Sequence, residues 1–176
     1  MKKIGLRIHT WPEKILRKKC KKVDLVDEQI RELLDEMCLV MLNDKGIGLA
    51  ANQVGLDISM VVVALEDKLF KLVNPCIVKK EGTMSILEGC LSFPGLELEV
   101  KRSKKVWVSA LNEKGEPLDI EADGVLAIIF QHEIDHVNGI TFISRVPFRQ
   151  RLKVSAQLKE IKKMTKNGLS KQSKKQ

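Results

Sequence analysis

The sequence predicts an α+β fold, with antiparallel strands packed around a buried central helix and a basic helix closing the chain. Three observations lead there. Between residues 59 and 122, strand-like segments follow one another with little helix between them, so neighbouring strands should pair antiparallel. Val125-Leu126-Ala127-Ile128-Ile129-Phe130 is apolar on every side, as in a helix surrounded by other elements. Helical periodicity flanks the strands at both ends. With 176 residues, 44% of them apolar, one domain with its own core is expected over residues 1–165, and a basic, flexible tail over 166–176.

Asp27 and Glu28 open the first helix, in which Ile30, Leu33, Leu34, Met37, Val40 and Met41 recur at three- and four-residue spacing. This stripe should end near Asn43 and Gly46. The glycine-punctuated segment Gly46-Ile47-Gly48-Leu49-Ala50-Ala51-Asn52-Gln53 follows. Strands are expected at 59–65, 69–73, 76–80, 96–100, 105–111 and 118–122. The fourth alternates Leu, Glu, Leu, Glu, Val, as a half-buried strand does. Asn112-Glu113-Lys114-Gly115 makes a turn. Asp123 is placed to cap the central helix, which should run to about Asn138 and stop at a left-handed Gly139. After Pro147 a last helix, roughly 148–165, carries Val154, Leu158 and Ile161 on one stripe and lysines elsewhere.

No apolar run approaches the ~20 residues of a membrane span. The amino terminus turns polar and basic too soon for a signal peptide, so a cytoplasmic protein is expected, with Cys20, Cys38, Cys76 and Cys90 as reduced thiols. The net charge of +8 is uneven: residues 1–22 hold nine basic residues and one acidic, residues 149–176 ten and one. A mildly acidic body with two basic ends attracts polyanions. Two Trp and five Phe, none interleaved with the basic tail, argue against single-strand binding by base stacking.

The central helix contains His132-Glu133-Ile134-Asp135-His136. Residues i and i+4 lie about 40° apart around a helix, so both imidazoles can face one metal ion. Glu133, one residue round, is placed to reach a water on that ion without displacing a ligand. Burial of the helix and an acidic neighbour beside each histidine weigh against two ordinary core histidines. A third ligand decides the chemistry. No further histidine follows His136. Glu160 is the only acidic residue downstream, and its use would make a zinc endopeptidase; off the apolar stripe of a lysine-rich helix, its ordinary role is pairing with lysine. A thiolate is the remaining option. Cys90 sits in Glu88-Gly89-Cys90-Leu91-Ser92, read as a glycine-loosened turn before a strand, whereas packing or exposure accounts for Cys20, Cys38 and Cys76.

Three motifs thus stand in one order: Gly46-Ile47-Gly48-Leu49-Ala50-Ala51-Asn52-Gln53, Glu88-Gly89-Cys90-Leu91-Ser92 and Gln131-His132-Glu133-Ile134-Asp135-His136. The first also fits the dinucleotide fingerprint G-x-G-x-x-[GA], but it follows a helix and leads into a strand, which excludes nucleotide binding. Together the three resemble the signatures of the bacterial peptide deformylases, over residues 4 to 165. Asn52 stands where that family often has Pro or Thr.

The resemblance implies a metal-dependent hydrolase that removes the formyl group from the N-terminal formylmethionine of nascent polypeptides. Cys90, His132 and His136 would hold one Fe2+ per chain, with Zn2+ or Ni2+ able to substitute. Glu133 would take a proton from water and return it to the departing amine, while the Gln53 amide and the Leu91 N–H hold the charge that develops on the formyl oxygen. Ile47, Gly48 and Gly89 would pair with the peptide as an added strand, and Ile86, Val125, Ile128 and Ile129 would line the methionine pocket. By analogy, Gln131 and Asp135 would orient the histidines. In bacterial members the basic last helix docks on the ribosome near the tunnel exit. A non-catalytic ribosome-binding module is the reading from another class.

Overall fold

Apolar spacing and a carboxylate at its start produce the first helix, α1, at Glu28–Asn43, where the Asp27 side chain accepts a hydrogen bond from the backbone N–H of Ile30. The computed structural model in which it is seen describes residues 5–172, with side chains through residue 168. Seven strands follow: β1 Gly48–Ala50, β2 Met60–Leu65, β3 Lys68–Glu81, β4 Met84–Gly89, β5 Glu97–Arg102, β6 Lys105–Leu111 and β7 Pro117–Asp123. Every pairing between these strands is antiparallel, in a five-stranded sheet of order β1-β2-β3-β6-β7 and a separate β4-β5 pair. The central helix, α2, spans Gly124–Val137. The α+β architecture read from the sequence is the one observed.

Strand β2 explains how two layers share one sheet. Val61 and Val63 face α2 among Leu72, Val106, Val108, Phe130 and Ile134, while Met60 and Val62 face α1 among Leu34, Met37 and Met41. A strand buried on both faces has no polar alternation, hence its unbroken apolar run. A third cluster joins Leu98 and Val100 of β5 to Phe93, Phe142, Val146 and Ile161.

The structure corrects several boundaries. The expected strands 69–73 and 76–80 are one strand, β3, with a bulge between Val73 and Cys76. Asn74 takes a left-handed φ of 53° there, and its side chain bonds both the N–H and the C=O of Val23, so the strand continues through what reads as a break. Residues 84–89 form β4, so Cys90 leaves the end of a strand before turning into β5, in place of a turn alone. Asp123 precedes α2 without a side-chain capping bond. Gly139 has the expected positive φ of 74°, and a Cβ there would lie 2.7 Å from the Arg17 carbonyl oxygen. Apolar on every side, α2 was expected to be buried throughout, yet Val125 is 44% exposed because the helix begins at the wall of a cavity. The last helix is two, α3 Phe148–Lys153 and α4 Ser155–Gln172; α4 continues past residue 165, and residues 173–176 of the expected tail lie outside the described residues. Among the described residues, no helix is long and apolar enough to cross a membrane.

Candidate metal centre

Helix α2 brings His132 and His136 one turn apart, and the end of β4 brings Cys90 to them from the other sheet. Cys90 Sγ lies 3.3 Å from His136 Nε2, and the sulfur and one nitrogen of each ring lie within 4.8 Å of one another. Edges of roughly 3.3–3.7 Å separate the ligands of a tetrahedral ion with N and S donors. Two buried imidazoles and a half-buried thiol converging at this spacing therefore fit a divalent ion, with a fourth position open. Among the described residues this is the cluster of three donors able to hold one. Glu160, the alternative ligand, is exposed on α4 and joins no such cluster there.

His132 is oriented by a residue that sequence reading missed. His132 Nδ1 meets Glu88 Oε2 at 2.8 Å, leaving Nε2 for an ion. Glu88 in turn accepts two bonds from the Arg102 guanidinium, at 2.7 and 3.0 Å, and Arg102 Nη1 reaches Asp135 Oδ2 at 2.5 Å. Burial pushes Glu88 up, but hydrogen bonds with His132 and Arg102 outweigh it and hold the carboxyl below its usual range. Burial works against protonation of His132, yet the Cys90 and Glu88 side chains raise it well above the ordinary value; burial and the neighbouring positive charges keep His136 well below. Gln131 and Asp135, expected to orient the rings, touch neither. Gln131 bonds the backbone of Ser103 and Ala127, and Asp135 pairs with Arg102 and Arg145. Asn52 donates instead to the His136 carbonyl oxygen.

Glu133 lies against Gly48 of β1, where a Cβ would come within 2.4 Å of its Oε1. Its Oε2 has no hydrogen-bond partner, and burial pushes its pKa up to about 7. Gln53 is held by its Oε1, which accepts from the Ala50 N–H at 2.8 Å; its Nε2 lies 3.2 Å from Ser92 Oγ and 3.5 Å from Cys90 Sγ. These groups open on a cavity of about 720 Å³. Its lining includes Ile47 and Gly48, then Ile86, Gly89 and Leu91, and then Val125, Ile128 and Ile129, together with His132 and Glu133. Apart from His136, which is fully buried, every expected site residue borders this one space.

The polypeptide deformylase family profile matches residues 6–152. The chain belongs to this family. Like other deformylases it is a metal-dependent hydrolase. The peptide deformylase of Aquifex aeolicus is 43% identical over 159 residues, covering 86% of this chain and 94% of that protein. The crystal structure of a peptide deformylase from Legionella pneumophila superposes with a TM-score of 0.84 at 36% identity, covering 90% of this chain and 96% of that one. A deformylase from Synechococcus elongatus, in complex with actinonin, gives 0.82 at 37% identity, over 94% and 88%.

Within this deformylase the missed residues have a common signature. Glu88 and Arg102 are acidic and basic residues at inward positions of strands, buried to 6% exposure each. Ordinary alternation does not place charge there, and the only sequence signal was a Glu two positions before the candidate thiolate.

Proposed function

We propose that this deformylase removes the N-formyl group from the formylmethionine of nascent polypeptides, releasing formate, with Cys90, His132 and His136 holding one Fe2+ per chain, replaceable by Zn2+ or Ni2+. The observation that carries this is the convergence of one sulfur and two ring nitrogens, with Cys90 and His132 sharing one cavity lining with a buried Glu133 carboxylate whose Oε2 has no hydrogen-bond partner. Such an ion, when bound, supplies a Lewis acid that acidifies water and polarises a carbonyl oxygen.

Glu133 accepts the proton of the attacking water and passes it to the departing amine nitrogen; a carboxyl poised near neutrality suits both directions. The Gln53 amide, fixed through its oxygen, and the Leu91 N–H receive the charge that develops on the formyl oxygen. The peptide lies extended between Ile47 and Gly48 on one side and Gly89 on the other, and the methionine side chain enters among Ile86, Val125, Ile128 and Ile129. The same reading assigns catalysis to a single domain of residues 1–165 in the cytoplasm, and puts the basic end of the chain against RNA-rich ribosomal components near the tunnel exit. Its support there is charge: Lys159, Lys162 and Lys163 are exposed on α4.

The test is formate release from formyl-Met-Ala by anaerobically purified protein, with metal content measured on the same sample. Glu133→Ala should keep its metal and lose turnover by 10²-fold or more, about the contribution of a positioned general base. Cys90→Ala should lose the metal. Metal retained without Cys90 would favour an endopeptidase, and ribosome binding without metal or formate would favour the non-catalytic module.

A further inference from the structure

A line of charge runs from the metal centre to the surface: His132, Glu88, Arg102, Asp135, Arg145. The four charged side chains after His132 are two arginines and two carboxylates, and the inner three are nearly sealed, with side-chain exposures of 4%, 5% and 12% for Arg102, Glu88 and Asp135. Arg145, 41% exposed, sits where the chain turns towards α3. It touches neither the three candidate ligands nor the cavity wall.

The contacts are shared, and the sharing transmits position. Asp135 Oδ2 accepts from Arg102 Nη1 at 2.5 Å and from Arg145 Nε at 2.8 Å, and Oδ1 accepts from Arg145 Nη2. Two of these three contacts on Asp135 come from Arg145. At the inner end, Glu88 Oε2 serves both Arg102 Nη2 and His132 Nδ1. Without Arg145, the buried Asp135 charge rests on Arg102 alone and draws that guanidinium away from Glu88. Glu88 then holds the His132 ring less firmly, because a buried charge takes whatever partner remains.

We propose that Arg145 is a positioning residue for the metal centre, acting through Asp135, Arg102 and Glu88 on the orientation of His132. The inference rests on Cys90, His132 and His136 being the ligands. Since Arg145 lies away from the cavity, its effect falls on metal retention and kcat and leaves KM for a short formyl peptide unchanged.

The experiment uses the full chain loaded with Ni2+ and follows release of the ion to excess chelator, alongside thermal melting and kcat and KM on formyl-Met-Ala. Arg145→Ala should release the ion roughly 10-fold faster, the lower end of what losing an outer partner of a metal-bound histidine costs. Arg145→Lys keeps the charge but not the two-pronged grip, and should fall between. Val146→Ala, beside it, loosens the packing of a buried side chain without touching the ion pairs, and should lower Tm while releasing metal at the parental rate. A Co2+-loaded Arg145→Ala protein should also show a shifted visible absorption band. Release from Arg145→Ala at the parental rate overturns the proposal, as does equal acceleration in Val146→Ala at the same loss of Tm. If the parent chain binds no stoichiometric ion, or Cys90→Ala keeps it, the ligand assignment itself has failed.

Discussion

Gly48 and Glu133 occupy one volume between them: the side chain that residue 48 lacks is the space in which the carboxylate lies. Gly48→Ala puts a methyl 2.4 Å from Oε1, and the carboxylate must swing away because the glycine backbone is tied into β1. We expect kcat to fall by about 10²-fold, comparable to losing a well-placed proton acceptor, with bound metal unchanged. Paired formate-release and metal measurements check this, and unchanged turnover would mean that Glu133 has room to spare. At this scale the sequence was legible wherever chemistry is local. His132, Glu133 and His136 announce themselves by helical spacing alone. Glu88 does not, because its meaning depends on Arg102, fourteen residues on and four register positions away on the neighbouring strand, where Glu88 itself faces Leu98. Gln131 was misread for the complementary reason, since adjacency to a histidine on a helix points a side chain to a different face, and for the same reason Asp135 reaches His132 only through Arg102 and Glu88.

Among the elements, α4 is attached by few but well-buried contacts. Ile161, 2% exposed, packs with Phe93, Phe142 and Val146, and Thr165 Oγ1 bonds the Trp11 carbonyl and pairs with Thr10 Oγ1 at 2.8 Å each. Ile161→Ala should cost about 2–4 kcal/mol, the usual range for emptying an aliphatic core position. Denaturant melts measure the loss, and hydrogen exchange should show it concentrated in α4; a loss below ~1 kcal/mol would mean that the helix re-docks. Strand reading succeeded where alternation or an apolar run was intact, as in β2, β5 and β6. It missed β4, whose inward Glu88 breaks the apolar pattern, and β1, which is only three residues long. It cut β3 at Asn74-Pro75, since a bulge stabilised by contacts to Val23 has the same local sequence as a turn. The join of α3 and α4 at Val154 carries no Gly or Pro and left no mark.

Across the whole molecule, the fold sorts four identical functional groups into different fates. Cys76 is exposed on β3, Cys90 is half-buried at the metal centre, and Cys20 and Cys38 are buried. Burial pushes the thiols of Cys20 and Cys38 up to about 11, aided for Cys20 by the Asp57 carboxylate. Because the thiolate is the reactive form, an alkylating reagent at pH 8 should modify Cys76 first, Cys90 only when metal is stripped, and Cys20 and Cys38 only on unfolding. Peptide mass spectrometry over time reads the order; early labelling of Cys38 would show that α1 opens readily. The cavity has a consequence of its own. Strand β1 ends one sheet and β4 one side of the other, so both present unpaired backbone to the same space. A slot bounded by two bare strand margins accepts chain only while that chain is single and stretched, and excludes anything already coiled or paired with itself. Under the proposed reading, deformylation is therefore a race: each newly made protein must be met before its own folding hides its first residue.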